Sequence, residues 1–128
     1  MIHQLTSGNY EAFVQQKRVA AVHFDAAWDI SYRPITRREM SEAATVLAEH
    51  VNLGEVDCDR DPELPKSIRV LNLPAVAYYL DGNLAGIRIG ARQNILAHLE
   101  RLLRGELLDS DNADLQHQTT PAESGFRS

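Results

Sequence analysis

Six residues, Val19-Ala20-Ala21-Val22-His23-Phe24, form an unbroken run of small, β-branched and aromatic side chains with one polar member. A strand with one wet face alternates apolar and polar residues. This run does not alternate, so it reads as a strand covered on both faces, which requires a layer of helix on each side. The chain supplies such helices. Met40, Ala43, Ala44, Leu47 and Val51 recur at i, i+3, i+4, i+7 and i+11, and Ile95, Leu96, Leu99, Leu102 and Leu103 make a second stripe ending near Gly105. The start of the first stripe is ambiguous: Ser31 can cap it with Pro34 in the first turn, or Thr36 with Glu39 can form a capping box.

The remaining segments fit the same architecture. Leu5-Thr6-Ser7 followed by Tyr10, Phe13 and Val14 reads as a short capped helix, and Leu53 to Cys58 as a second buried strand. Asp61-Pro62-Glu63 signals a helix start, and Pro65 keeps that helix short. Ala75 to Leu80 and Leu84 to Ile89 flank Asp81-Gly82-Asn83, a hairpin signal. With an edge strand at Ile2 to Leu5, the order predicts an α/β three-layer sandwich. Its central mixed sheet has four to five strands and about four helices; alternating elements pair in parallel, and the terminal hairpin adds an antiparallel edge.

With 128 residues and 44% apolar content, the chain has room for one domain, expected over residues 1–105. Residues 106–128 hold Glu106, Asp109, Asp111, Asp114 and Glu123 against Arg127 alone, so of the net charge of −5 the tail carries −4. With few large apolar residues, this acidic tail is expected to be disordered. Neither part is basic, which argues against nucleic acid as a partner. No run approaches the roughly 18 apolar residues of a membrane span, and Met1-Ile2-His3-Gln4 has neither a basic n-region nor an apolar h-region, so no membrane role and a cytoplasmic setting are expected.

Metal and cofactor signals are lacking. Asp57, Asp59 and Asp61 alternate like a calcium loop, but the sharp-turn glycine position is Pro62 and the closing acid position is Ile68. The five histidines share no ligand spacing, and no Gly-rich loop precedes a helix, so neither metal nor cofactor is expected. Cys58, the single cysteine, excludes an intrachain disulfide.

After the first buried strand the chain reads Trp28-Asp29-Ile30-Ser31-Tyr32-Arg33. This resembles the active-site turn of the thioredoxin family, Trp-Cys-Gly-Pro-Cys-Lys, with Asp29 and Tyr32 where the two cysteines would stand. Val56-Asp57-Cys58-Asp59 with Pro62, the segment Arg69 to Pro74, and the glycines Gly82 and Gly90 match further family positions in order and spacing. The resemblance covers roughly residues 5 to 104. It favours an earlier start, near Asp29, for the helix after the turn, and implies a cis Leu73–Pro74 bond; the alternative is a trans proline merely starting a strand.

Dithiol exchange needs two thiols on one turn, and Asp29 and Tyr32 supply none, so the catalytic set is expected to be empty. Asp29 is at least a good helix cap, and Tyr32 is expected to fill the vacated space under or beside the turn. The family's buried acid is replaced by His23, and Glu55 lies on the neighbouring strand by resemblance. The two are expected to form a buried hydrogen-bonded pair, unless water or backbone satisfies the histidine. Arg33, Arg37 and Arg38 have Glu39 and Glu42 within helical reach as partners, and beside Trp28 they give that surface a basic rim.

The leading reading is a redox-inactive domain that binds a protein or extended peptide through Trp28, Asp29, Tyr32, Arg33, Leu73 and Pro74, as adaptor or chaperone. The enzyme-class alternative is thiol–disulfide or redox-homeostasis activity through Cys58, against which stands its expected position inside a buried strand.

Overall fold

A computed structural model describes residues 2–70 and 72–106. The sheet contains β1 (Ile2–Leu5), β2 (Val19–Asp25), β3 (Val51–Asp57), β4 (Ala75–Leu80) and β5 (Asn83–Ile89), in the order β1-β3-β2-β4-β5. The helices are α1 (Tyr10–Gln15), α2 (Arg33–Leu47), α3 (Glu63–Ser67) and α4 (Ile95–Leu103). β2 is buried at every position, as its unbroken apolar run requires.

The two faces of β2 divide the core. Ala20, Val22 and Phe24 pack with Tyr10, Phe13 and Val14 of α1 and Leu64 of α3. Val19 and Ala21 pack with Met40, Ala43 and Leu47 of α2 and with Ile95, Leu99 and Leu102 of α4. By the same alternation, His23 and Asp25 fall on the α2/α4 face, as does Glu55 two residues beyond Leu53.

Antiparallel pairing enters one strand earlier than the element alternation suggests. β1, β3 and β2 are parallel, but β4 already runs antiparallel to β2, with Phe24 opposite Ala75. The physical reason is the connection. After β3 a five-residue helix is too short to carry the chain back along the sheet, so β4 starts at the end where β3 finished.

Several boundaries differ from expectation. α2 ends at Leu47, so Val51, the last member of its expected stripe, instead opens β3 two residues before the expected strand start. The α1 N-terminus moves to Asn9, because Thr6 starts a turn of its own: its N–H donates to Asn9 Oδ1 at 2.8 Å and its hydroxyl accepts from the Gly8 N–H at 3.3 Å. Ser7 caps nothing and donates its hydroxyl to Asp61. β3 ends at Asp57, which leaves Cys58 outside the strand. Pro65 lies within α3, in a first turn where a missing N–H leaves no intrahelical bond unmade.

The hairpin is closed by Asp81 (φ 53°) and Gly82 (φ 81°), two left-handed residues as a type I′ turn needs. At the end of α4, Gly105 (φ 82°) lets its N–H reach the Leu102 carbonyl and the Glu106 N–H reach that of Arg101, both at 2.9 Å. The expected acidic tail, apart from Glu106, lies outside the described residues. No helix among the described residues is long and apolar enough to cross a membrane.

Candidate functional site

β2 delivers the chain to the end of the sheet, where residues 26–32 turn before α2 begins. Asp29 organises the turn. Its Oδ1 accepts the Tyr32 N–H at 3.2 Å and its carbonyl accepts the Arg33 N–H at 3.2 Å, a capping pattern on the turn that leads into α2, whose own N-cap position is Tyr32, and the residue is only 6% exposed. The regular helix starts four residues after Asp29, at Arg33.

With Asp29 facing in, its neighbours face out. Trp28 is 66%, Ile30 79% and Tyr32 56% exposed. The expectation that Tyr32 fills space under the turn is therefore corrected: its N–H is held by Asp29, and its ring stands in solvent. Ile30 escaped the sequence reading, although an aliphatic residue in an otherwise polar turn was a usable signal.

Across from the turn, the Leu73–Pro74 peptide bond is cis, and the Pro74 carbonyl accepts the Gly90 N–H at 2.9 Å. Between the two runs a groove of about 430 Å³, lined among others by Trp28, Cys58, Pro62, Pro65, Val70 and Leu73. Its floor is tied to the turn by the Cys58 N–H donating to the Asp25 carbonyl (2.8 Å) and the Ala27 N–H donating to Asp59 Oδ2 (2.9 Å).

Cys58 is thus not a buried strand residue. It is half-buried one position past β3, on the wall of the groove. Burial pushes its thiol up to about 11, and the nearby carboxylates of Asp25, Asp57 and Asp59 add to the effect.

Beneath the first turns of α2 lies a polar cluster. His23 Nδ1 is 3.1 Å from Glu55 Oε2, and Gln4 of β1 donates to Glu55 Oε1 at 3.0 Å. Arg37 donates to both Glu55 oxygens at 3.1 Å, and Arg33 donates to Asp25 Oδ2 at 2.8 Å. The arginines therefore reach down to strand acids instead of pairing along their own helix. Glu39, expected as their partner, accepts instead the backbone N–H groups of Gln93 and Ile95 at the start of α4. Burial raises the Glu55 carboxyl, but hydrogen bonds from His23 and Gln4 and the charge of Arg37 outweigh it and hold it at about 2. Asp25, the second acid of the cluster, also escaped the sequence reading; its signal was the two-residue spacing from His23 on one strand.

Of the residues singled out from sequence, Trp28 and Leu73 meet in the groove and Tyr32 joins Trp28 on the turn. Asp29 is buried in the cap, and Arg33 is engaged with Asp25.

Comparison with known proteins places this geometry. A thioredoxin from Rhodospirillum rubrum is 31% identical over 52 residues, which is 41% of this chain and half the length of that curated relative. Among solved structures, the oxidised thioredoxin of Plasmodium falciparum superposes with a TM-score of 0.66 at 18% identity, covering 82% of this chain and 97% of its own. A thioredoxin of Malassezia sympodialis gives 0.67 at 13% identity, covering 83% and 90%. A chain from human ERp44 in a zinc-bound form gives 0.67 at 22% identity, covering 82% of this chain and 32% of its own. The sequence model of the family described as Thioredoxin matches residues 1–101, and the chain belongs to that family.

Proposed function

We propose that this chain is a thioredoxin-fold binding domain without dithiol chemistry, which takes a protein segment or extended peptide at the surface around Trp28 and cis-Pro74, as adaptor or chaperone in a cytoplasmic setting. The observation that carries the reading is the exposure of Trp28, Ile30 and Tyr32 on one turn beside an open groove. Exposed apolar clusters of this kind mark interaction sites, and aromatic anchors next to a recess are the usual energetic centre of one. The two positions that would exchange disulfides hold a carboxylate committed to a cap and a phenol in solvent.

The Cys58 reading keeps one supporting observation, its place on the groove wall. Against it, a thiol titrating near 11 is about one part in 10⁴ thiolate at pH 7, far from an activated nucleophile.

A peptide array read beside a disulfide-reduction assay tests both. The expected result is no reduction of insulin disulfides, together with selective peptide binding that falls about tenfold or more in Trp28→Ala with Ile30→Ala, the loss typical of an anchor residue. Undiminished binding by that double variant would remove the binding proposal. Turnover abolished by Cys58→Ser would replace it with the thiol reading.

A further inference from the structure

Peptide binding makes no use of the polar cluster beneath α2. His23, Asp25 and Glu55 are 0%, 4% and 5% exposed, and one donor atom from each lies within 4.8 Å of the others. They sit on adjacent parallel strands, His23 opposite Glu55 and Asp25 two residues further along, so the sheet itself fixes their spacing. Two of their atoms, His23 Nε2 and Asp25 Oδ1, have no hydrogen-bond partner among the described residues. Buried polar atoms are satisfied in the great majority of cases, and unsatisfied ones call for a ligand or another cause.

We propose that His23, Asp25 and Glu55 bind a divalent metal ion of the zinc class, and that Arg33 and Arg37 take the ion's electrostatic place in the metal-free protein. Charge supports the exchange. Two buried carboxylates are neutralised by two guanidinium groups, and one divalent ion carries the same charge as that pair, so substitution leaves the cluster's net charge unchanged. Geometry supports it too. The arginine side chains are 31% and 48% exposed and reach the acids from the surface, so both can swing into water without opening the core.

An imidazole nitrogen with two carboxylate oxygens suits zinc, whereas magnesium and calcium prefer all-oxygen sets. Zinc bonds of about 2.0–2.2 Å place donors about 3.3 Å apart, a contraction within reach of side-chain rotation, and three protein ligands leave a fourth position for water. Both Glu55 oxygens already accept hydrogen bonds, from His23, Gln4 and Arg37, so the ion must compete with Arg37. That competition gives the site a distinctive signature: removing the arginines should tighten binding.

Zn²⁺ titration of the full chain by calorimetry, with Co²⁺ absorption as a second readout, tests the assignment. One ion per chain is expected to bind. Binding should be lost in His23→Ala and in the shape-conserving Asp25→Asn, and retained in Cys58→Ser. Arg33→Gln with Arg37→Gln should bind about tenfold more tightly, the gain from relieving about 1.4 kcal/mol of ion-pair competition. Surface binding through the other histidines would persist in Asp25→Asn and would not respond to the arginine substitutions. Either result, or no saturable binding by the wild type and the double arginine variant, would overturn the proposal.

Discussion

Asp29 stands where the backbone favours an anion whatever side chain supplies it. The N–H groups that open a helix point outward with partial positive charge, so a thiolate is stabilised there and a carboxylate equally so. The carboxylate forms the cap bond to Tyr32 and in doing so turns Asp29 inward, which leaves Trp28, Ile30 and Tyr32 outside. Replacing the cap should therefore loosen the surface as well as the helix. Asp29→Ala is expected to lower stability by about 1 kcal/mol, with Asp29→Asn nearly neutral because the amide oxygen also accepts the bond; urea denaturation of the three proteins measures this. A loss in the alanine variant below a few tenths of a kcal/mol would mean that the carboxylate is incidental to the turn.

At the scale of elements, β1 and α1 close tightly over β3 at one glycine. Gly54 lies on β3 beneath both, and a Cβ added there would sit 2.5 Å from Leu5 Cδ1 and 3.0 Å from the Phe13 ring. Gly54→Ala is expected to destabilise by about 1–3 kcal/mol, since Leu5 and Phe13 are buried and have little room to give, and thermal denaturation would read the shift. The elements themselves were legible because their signals are local: the unbroken apolar run of β2, the helical stripes of α2 and α4, and the Asp-Gly turn each specify structure within a few residues. The cluster of His23, Asp25 and Glu55 was only half legible. His23 and Glu55 lie 32 residues apart along the chain, and the arginines' choice of strand acids over helical glutamates depends on how α2 seats on the sheet. Cys58 shows how narrow the margin is, for a strand that ends one residue earlier than expected moves its thiol from the core to the groove wall.

Taken as a whole, the molecule meets at Glu55. Gln4 from β1, His23 from β2 and Arg37 from α2 all converge on this one carboxylate of β3, with Asp25 and Arg33 adjacent, so its charge state bears on how the sheet and the α2/α4 layer hold together. The folded protein holds the carboxyl at about 2, below its ordinary 4.5, and so favours the ionised form. A depressed carboxylate contributes its stabilisation in full above the unfolded value and loses it as the pH falls toward the folded one. For the metal-free chain, stability from this group should be constant above pH 5 and decline between about pH 4.5 and 2, by on the order of 2–3 kcal/mol. Glu55→Gln should lack that segment of the pH dependence: less stable than wild type at pH 7, and converging on it toward pH 2. Urea denaturation of both proteins in chelator across this range gives the comparison. Parallel curves would show that the four-way junction at Glu55 is held by shape alone, because only an ionised carboxylate can gain from donors on three separate elements and lose that gain on protonation.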